Sequence, residues 1–241
     1  MPISLRKRLC VYLAATGAVA GDDVEYYLAK GCRVVGVDAN PALCEAAAKR
    51  FSKNVAEGTP TIFNCAVLDR YGVADFFIHS QLDILSTLAP AAAHRTDIEM
   101  CWNRISVPAR RASSIIREYG EPLFVKIDVE FVDHVVLRDL LMHAIKPPYI
   151  SAEAHLIDVY CFLVCIGYEK FKLVDGETVH VKFHDHPITR VDGERTKFDF
   201  REHSSGPFGE DVPGPWIDKT MLLDELMKTG LGWKDIHAKR G

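Results

Sequence analysis

The chain has 241 residues, 48% hydrophobic and 26% charged, with a net charge of −4. That is enough for one sizeable core, and the mild acidity, with no basic stripe interleaved with aromatics, excludes an electrostatic nucleic-acid groove. Seven cysteines with no CxxC or zinc spacing argue for a reduced, cytoplasmic protein.

Residues 1–21 imitate a secretory signal: Arg6, Lys7 and Arg8, an apolar stretch, then Ala18-Val19-Ala20 as at a cleavage site. Cleavage there would remove the first strand and its turn, so the preferred reading keeps them. No other apolar run approaches the roughly 18 residues of a membrane span. Residues 9–15 have the length of a buried strand. Gly17 and Gly21 follow, then Asp22 and Asp23, one of which is expected to cap a helix over 24–30. Gly31 closes that helix, whose Tyr26, Tyr27 and Leu28 read as core. A second apolar run, 32–37, ends in Asp38. Strand, glycine turn, helix, strand, acid is the first half of a nucleotide-binding α/β fold. The glycines let backbone approach a ligand, the helix start offers free N–H groups, and a carboxylate after the second strand can accept from ribose hydroxyls.

Residues 41–53 predict a helix with Pro41 in its first turn, and 58–60 a turn. Strands are expected at 61–68 and 73–79, joined through 69–72 as a hairpin beside the parallel sheet. Residues 81–102 read as a mobile loop with one helical turn. A short strand at 105–109 precedes a helix at 113–119, capped by Ser113 or Ser114 and ended by Gly120. A buried strand at 123–129 ends Asp128-Val129-Glu130, and a helix follows at 132–144. The strand at 149–154 leads to Glu153 and His155. An apolar helix at 156–166 places Cys161 and Cys165 on one face as core filler. Segments 171–174 and 178–183 alternate, predicting a two-stranded antiparallel piece that turns at Asp175-Gly176. From His184 periodicity fades. Residues 204–215 are rich in Gly, Pro and Ser, and 217–229 form a closing helix. One domain over 1–241 is expected, with 184–241 an irregular extension packed on it.

Alternating strands and helices argue for a largely parallel sheet, and ligands in such sheets sit beyond the carboxyl ends of the strands. Asp128 and Glu130 lie two apart, which on a strand end aims both at one face. They can hold a substrate amine or hydroxyl, act as base, or bind a divalent cation; the plainer alternative is that Asp128 only fixes its loop. Glu153 and His155 likewise share a face, with His155 the first choice as general base. His184-Asp185-His186 lacks a third ligand, so no metal centre is expected. Residues 204–210 read as a lid, a substrate wall or plain surface.

Five blocks carry a resemblance: GDDVEYYLAKGCRVVGVDANP at 21–41, KIDVE at 126–130, YISAEA at 149–154, SSGPFGE at 204–210 and WKDIHA at 233–238. Together, in order along nearly the whole chain, they resemble the FkbM-type methyltransferases, which use S-adenosyl-L-methionine and mostly methylate oxygen. The resemblance implies an α/β, Rossmann-like class I methyltransferase fold: a mostly parallel sheet, helices on both faces and an added antiparallel hairpin. It implies that Gly17, Gly21 and Asp38 hold the cofactor, joined by Asn40 and by Ala66 and Val67, where adenine would pack. Asp128, Glu130, Glu153 and His155 form the catalytic set. The expected acceptor is a small-molecule or sugar hydroxyl, with no nucleic-acid or membrane partner and a homodimer as the assembly to consider. Two positions depart from the family pattern: Ala15 stands for an acid and Phe131 for a glycine. They motivate the alternative, a non-catalytic or repurposed binding protein of the same fold. A nicotinamide dehydrogenase fits less well, because GxxxG is not GxGxxG.

Overall fold

The first apolar run becomes the middle of the sheet. The computed structural model describes residues 8–14, 22–52, 60–80, 86–89 and 102–241. It opens with β1 (Leu9–Ala14), α1 (Asp22–Ala29), β2 (Arg33–Asp38), α2 (Pro41–Phe51), β3 (Thr61–Asn64), β4 (Ala66–Leu68) and β5 (Gly72–His79). Next come β6 (Trp102–Arg111), α3 (Ala112–Tyr119), β7 (Pro122–Asp128), α4 (Asp133–Met142), β8 (Tyr149–Glu153) and α5 (Ile157–Ile166). The remainder is β9 (Lys170–Asp175), the short α6 (Val179–Lys182), β10 (His186–Thr189), β11 (Arg195–Phe198), α7 (Lys219–Thr229) and β12 (Lys234–Lys239).

Seven strands form the main sheet in the order β3-β2-β1-β7-β8-β12-β9. The pairings from β3 to β8 are parallel, and β12 runs antiparallel to both β8 and β9. This order, with one reversed strand next to the edge, is that of the Rossmann-like class I methyltransferase fold. Side chains of β1 alternate between two cores. Leu9, Val11 and Leu13 face the side covered by α3, α4, α5 and α7, while Cys10, Tyr12 and Ala14 face α1 and α2. Gly31 ends α1 as expected: at φ 81° it donates its N–H to the carbonyl of Leu28, a conformation costly for a residue with a Cβ.

Several expected elements are arranged differently. The strand expected at 61–68 breaks at Cys65: β3 stays in the main sheet and β4 joins a second sheet ordered β4-β6-β5. The antiparallel addition exists, but β5 pairs with β6, while β4 lies parallel on the other side of β6. Alternation could not show this, because β6 lies far beyond β5 in the chain. Helix α3 has no side-chain cap from Ser113 or Ser114; Asp139 on α4 accepts from the Ser113 N–H at 2.7 Å instead. The piece expected at 171–183 is not a hairpin. β9 pairs with β12, and residues 176–182 turn helical. The segment 184–241 is not merely irregular, since it supplies the β10–β11 ribbon and β12 itself. Cys161 and Cys165 are exposed rather than core filler. The turn expected at 58–60 and the loop at 81–102 fall largely outside the described residues. Among the described residues, no helix is long and apolar enough to cross a membrane.

Candidate functional site

The register brings acids together at the carboxyl edge of the sheet. Ala14 pairs with Asp38 on one side and Asp128 on the other. Glu153 follows Ala152, the partner of Ile127, and pairs with Asp235 of β12. Asp38, Asp128, Glu153 and Asp235 therefore form one row on the α1 face. Two residues back, the next row holds Tyr12, Lys126, Ser151 and His237. All eight side chains are buried. A buried polar band of this kind persists only where its charges are paired.

Lys126 is its centre. Its ammonium donates to Asp235 at 2.5 Å and lies 3.8 Å from Asp128. Burial alone would discharge it, but the carboxylates of Asp235, Asp128 and Glu153 outweigh burial and raise its pKa. The Tyr12 hydroxyl stands 3.0 Å from Asp128 and 3.2 Å from Asp23 on α1. One hydroxyl proton can serve only one acceptor, so both contacts are satisfied when Asp23 is itself protonated. Burial pushes the Asp23 carboxyl up to about 6, against the hydrogen bonds it receives from Ser204 and Ser205. Those bonds, 2.8 Å from the Ser204 hydroxyl and 3.0 Å from the Ser205 N–H, fasten residues 204–208 onto α1. Phe208 stacks on Phe124 with ring centres 4.1 Å apart, and the Tyr26 hydroxyl accepts from its N–H. The segment expected as a lid or surface loop is thus buried core, because its serines answer a buried carboxylate.

Beyond β7 the chain turns sharply. Glu130 and Phe131 both adopt left-handed backbone, φ 44° and 65°. Each costs roughly 1–2 kcal/mol for a residue with a Cβ. Phe131, which stands where the family pattern has glycine, takes a backbone region that favours glycine and stacks on His155, ring centres 4.6 Å apart. Since β7 ends at Asp128, strand alternation does not carry on to Glu130. Glu130 turns towards His155 instead, whose Nε2 lies 3.4 Å from Glu130 Oε2 and 3.2 Å from Glu153 Oε2. Burial opposes charge on the ring, but the two carboxylates prevail and push His155 up to about 11. Burial also raises Glu130 and, more strongly, Glu153. Asp133, at the start of α4, is pushed up to about 7 by burial and the nearby Asp128 charge. One of its oxygens accepts from the Glu153 N–H at 3.4 Å.

The structure therefore unites the four residues expected as catalytic. It adds Lys126, Asp235, Asp23, Tyr12 and Asp133, which sequence reasoning did not assign to the site. Lys126 carried a signal: a lysine inside an apolar strand needs a buried acid. Asp38 sits fully buried at the end of β2, where one oxygen accepts the Asn40 N–H at 2.7 Å. The Asn40 side chain caps α2 through the Ala42 N–H. Ala66 and Val67 are buried in β4. Gly17, Gly21 and Ala15 lie outside the described residues. Asp23 is an acceptor for the 204–205 segment rather than a cap. His184 and His186 are not paired on a strand face, since β10 starts at His186 and Asp185 before it is left-handed. His184 pairs with Asp199 and His186 with the Asp211 carbonyl. Two cavities, about 360 Å³ behind Val174 and Phe183 and about 410 Å³ at the amino end of the sheet beside Pro122 and Arg240, include no residue of the acid row.

No protein-family model and no curated protein matches the chain. Among solved structures it is similar to precorrin-6y C5,15-methyltransferase from Geobacter metallireducens GS-15, at 10% identity and a TM-score of 0.38, over 97% of this chain and 80% of that one. The assignment of the fold rests on the strand order.

Proposed function

We propose that the chain is an S-adenosyl-L-methionine-dependent methyltransferase of the FkbM type that methylates a hydroxyl of a small molecule or sugar. The observation that carries the reading is the charge imbalance at the carboxyl edge of a methyltransferase-ordered sheet. Among the described residues, six buried or nearly buried carboxyls, Asp23, Asp128, Glu130, Asp133, Glu153 and Asp235, gather around two cations, Lys126 and His155. A ligand bearing a sulfonium and an ammonium complements that excess, so the donor set fits the cofactor. Asp38, at the end of β2, would take the ribose hydroxyls. When bound, the cofactor supplies a methyl group made electrophilic by sulfonium.

Methyl transfer to oxygen is an in-line displacement, so alignment and exclusion of water lower most of the barrier. The chain supplies both through rigid parts: Asp128 is held by Tyr12 and Lys126, and the 204–208 segment closes one side through Asp23. The acceptor hydroxyl must still lose a proton. His155, the base expected from the sequence, sits between two carboxylates that keep it protonated, and a ring that already holds its proton cannot take another. Glu130 and Glu153, whose affinity for protons is raised, are the groups suited to receive it.

The test is isothermal titration of the full chain with S-adenosyl-L-methionine and with its demethylated product. Micromolar binding is expected for both. Absence of heat and of any thermal shift at about 1 mM ligand would refute the reading. The non-catalytic alternative draws on the same geometry: His155 lies against Glu130 and Glu153, and Phe131 covers one face of its ring. Binding without turnover across an acceptor screen would favour it.

A further inference from the structure

We propose that Glu130, Glu153 and His155 form a binding site for one divalent first-row transition-metal ion at the carboxyl ends of β7 and β8. Glu130, Glu153 and His155 each offer a ligand atom within 4.8 Å of the other two, the one such grouping among the described residues. The two separations from the ring nitrogen, 3.4 and 3.2 Å, are those of atoms sharing an ion. Ligands about 2.0–2.2 Å from one metal stand roughly 3.0–3.5 Å apart in octahedral or tetrahedral arrangement.

Hydrogen bonding does not explain the cluster. Glu153 Oε2 and His155 Nε2 are buried and have no hydrogen-bond partner of acceptable geometry, although they face each other. Glu153 is only 3% exposed, and a carboxylate oxygen that deep normally has a donor. An ion placed between the three atoms would replace the proton that His155 holds without it, release that proton to solvent and satisfy both orphans at once.

The ligands are also held from behind, as metal ligands usually are. Phe131 stacks on the imidazole and fixes its plane. The Thr87 hydroxyl donates to the Glu130 carbonyl at 2.9 Å, and Asp133 accepts the Glu153 N–H. The donor set selects the ion. One imidazole nitrogen with two carboxylate oxygens suits Mn²⁺, Fe²⁺ or Zn²⁺; no thiolate favours Cu(I), and an imidazole is unusual for Mg²⁺ or Ca²⁺. Three protein ligands leave coordination positions open. With the ion bound, Glu130 and Glu153 act as ligands rather than bases, and in the proposed reaction an acceptor hydroxyl oxygen would take one open position, be acidified there and lose its proton to bulk water. That role rests on the methyltransferase reading, whereas ion binding does not.

The experiment is titration of chelator-stripped full-length protein with Mn²⁺, following loss of the aqueous Mn²⁺ paramagnetic resonance signal, with Zn²⁺ titrated by calorimetry. One site per chain with a micromolar dissociation constant is expected. Glu153→Gln and Glu130→Gln should each weaken it by at least about 100-fold while the far-ultraviolet spectrum stays native. If Glu153→Gln fails to fold, the more peripheral Glu130→Gln decides. No binding at about 1 mM of either ion, or equal binding by wild type and variants, overturns the proposal. Cofactor titrations with and without ion separate the two readings. Ion binding without cofactor binding keeps the metal site and sinks the methyltransferase; the reverse sinks the metal site alone.

Discussion

Replacing Lys126 by Met removes the buried ammonium at the centre of the acid row and keeps its bulk. Lys126 is fully buried, 2.5 Å from Asp235 and 3.8 Å from Asp128, so the variant takes the nearest ammonium from two buried carboxylates. Breaking such a pair from one side costs about 3–5 kcal/mol. At about 2–4 °C per kcal/mol for a chain of this size, the melting temperature should fall by roughly 6–20 °C. The loss should depend on pH. Burial already raises the Asp235 pKa, and Lys126 is the main influence holding it down. Without Lys126 the folded variant binds a proton more tightly than the unfolded chain. Its stability therefore grows as pH falls, so the deficit should be smaller at a mildly acidic pH than at a mildly alkaline one. Adding Asp235→Asn should recover part of the loss, by removing the uncompensated charge. Urea denaturation followed by circular dichroism and tryptophan fluorescence measures all of this. A single-variant loss below about 1 kcal/mol, or an identical deficit at both pH values, would refute the charge argument.

Asp38→Ala should weaken cofactor binding by about 10–150-fold, the value of a hydrogen bond to a charged acceptor, as read by calorimetry. Phe208→Ala should cost about 3–5 kcal/mol in urea denaturation, since the ring is buried and stacked on Phe124. Gly176→Ala should destabilise clearly by thermal melting: a Cβ there would meet the Trp233 ring at 2.5 Å, inside any tolerable contact. Asp23 has its carboxyl raised from 3.8 to about 6, so the folded state holds that proton more tightly. Its contribution is fully present below about pH 3.8 and is lost as pH rises through about 6, roughly 3 kcal/mol in all. Asp23→Asn should flatten the wild-type fall in stability over that window.

The sequence was most legible where apolar patterning met a turn signal. β1, α1, β2 and α2 lie within a residue or two of expectation, because buried strands and Gly31 punctuate the chain physically. The same holds for β7 and β8, and so for the carboxylates that end them. What alternation missed was β12. Both its faces are buried: Ile236 and Ala238 enter the apolar core, while Asp235 and His237, 1% and 2% exposed, enter the polar band, so no continuous apolar run marks it. It is a buried strand because Lys126 answers its acid, a relation spanning 109 residues that no local window contains. The broken strand at Cys65 was hidden for a related reason: which sheet each half joins depends on β6, far along the chain. The left-handed turn at Glu130 and Phe131 broke the rule that places such turns on glycine, and its stack on His155 offsets the strain.

Placing β12 between β8 and β9 has a bearing on how the protein is made. Lys126 emerges from the ribosome on the order of 5–20 s before Asp235, at about 5–20 residues per second. Throughout that interval the nascent sheet carries a lysine whose hydrogen-bonded acid is still missing, with Asp128 and Glu153 alone to balance the ammonium. Early strands can pair only loosely until translation delivers the reversed strand, which leaves their apolar faces open to chaperones, and to aggregation, for that time.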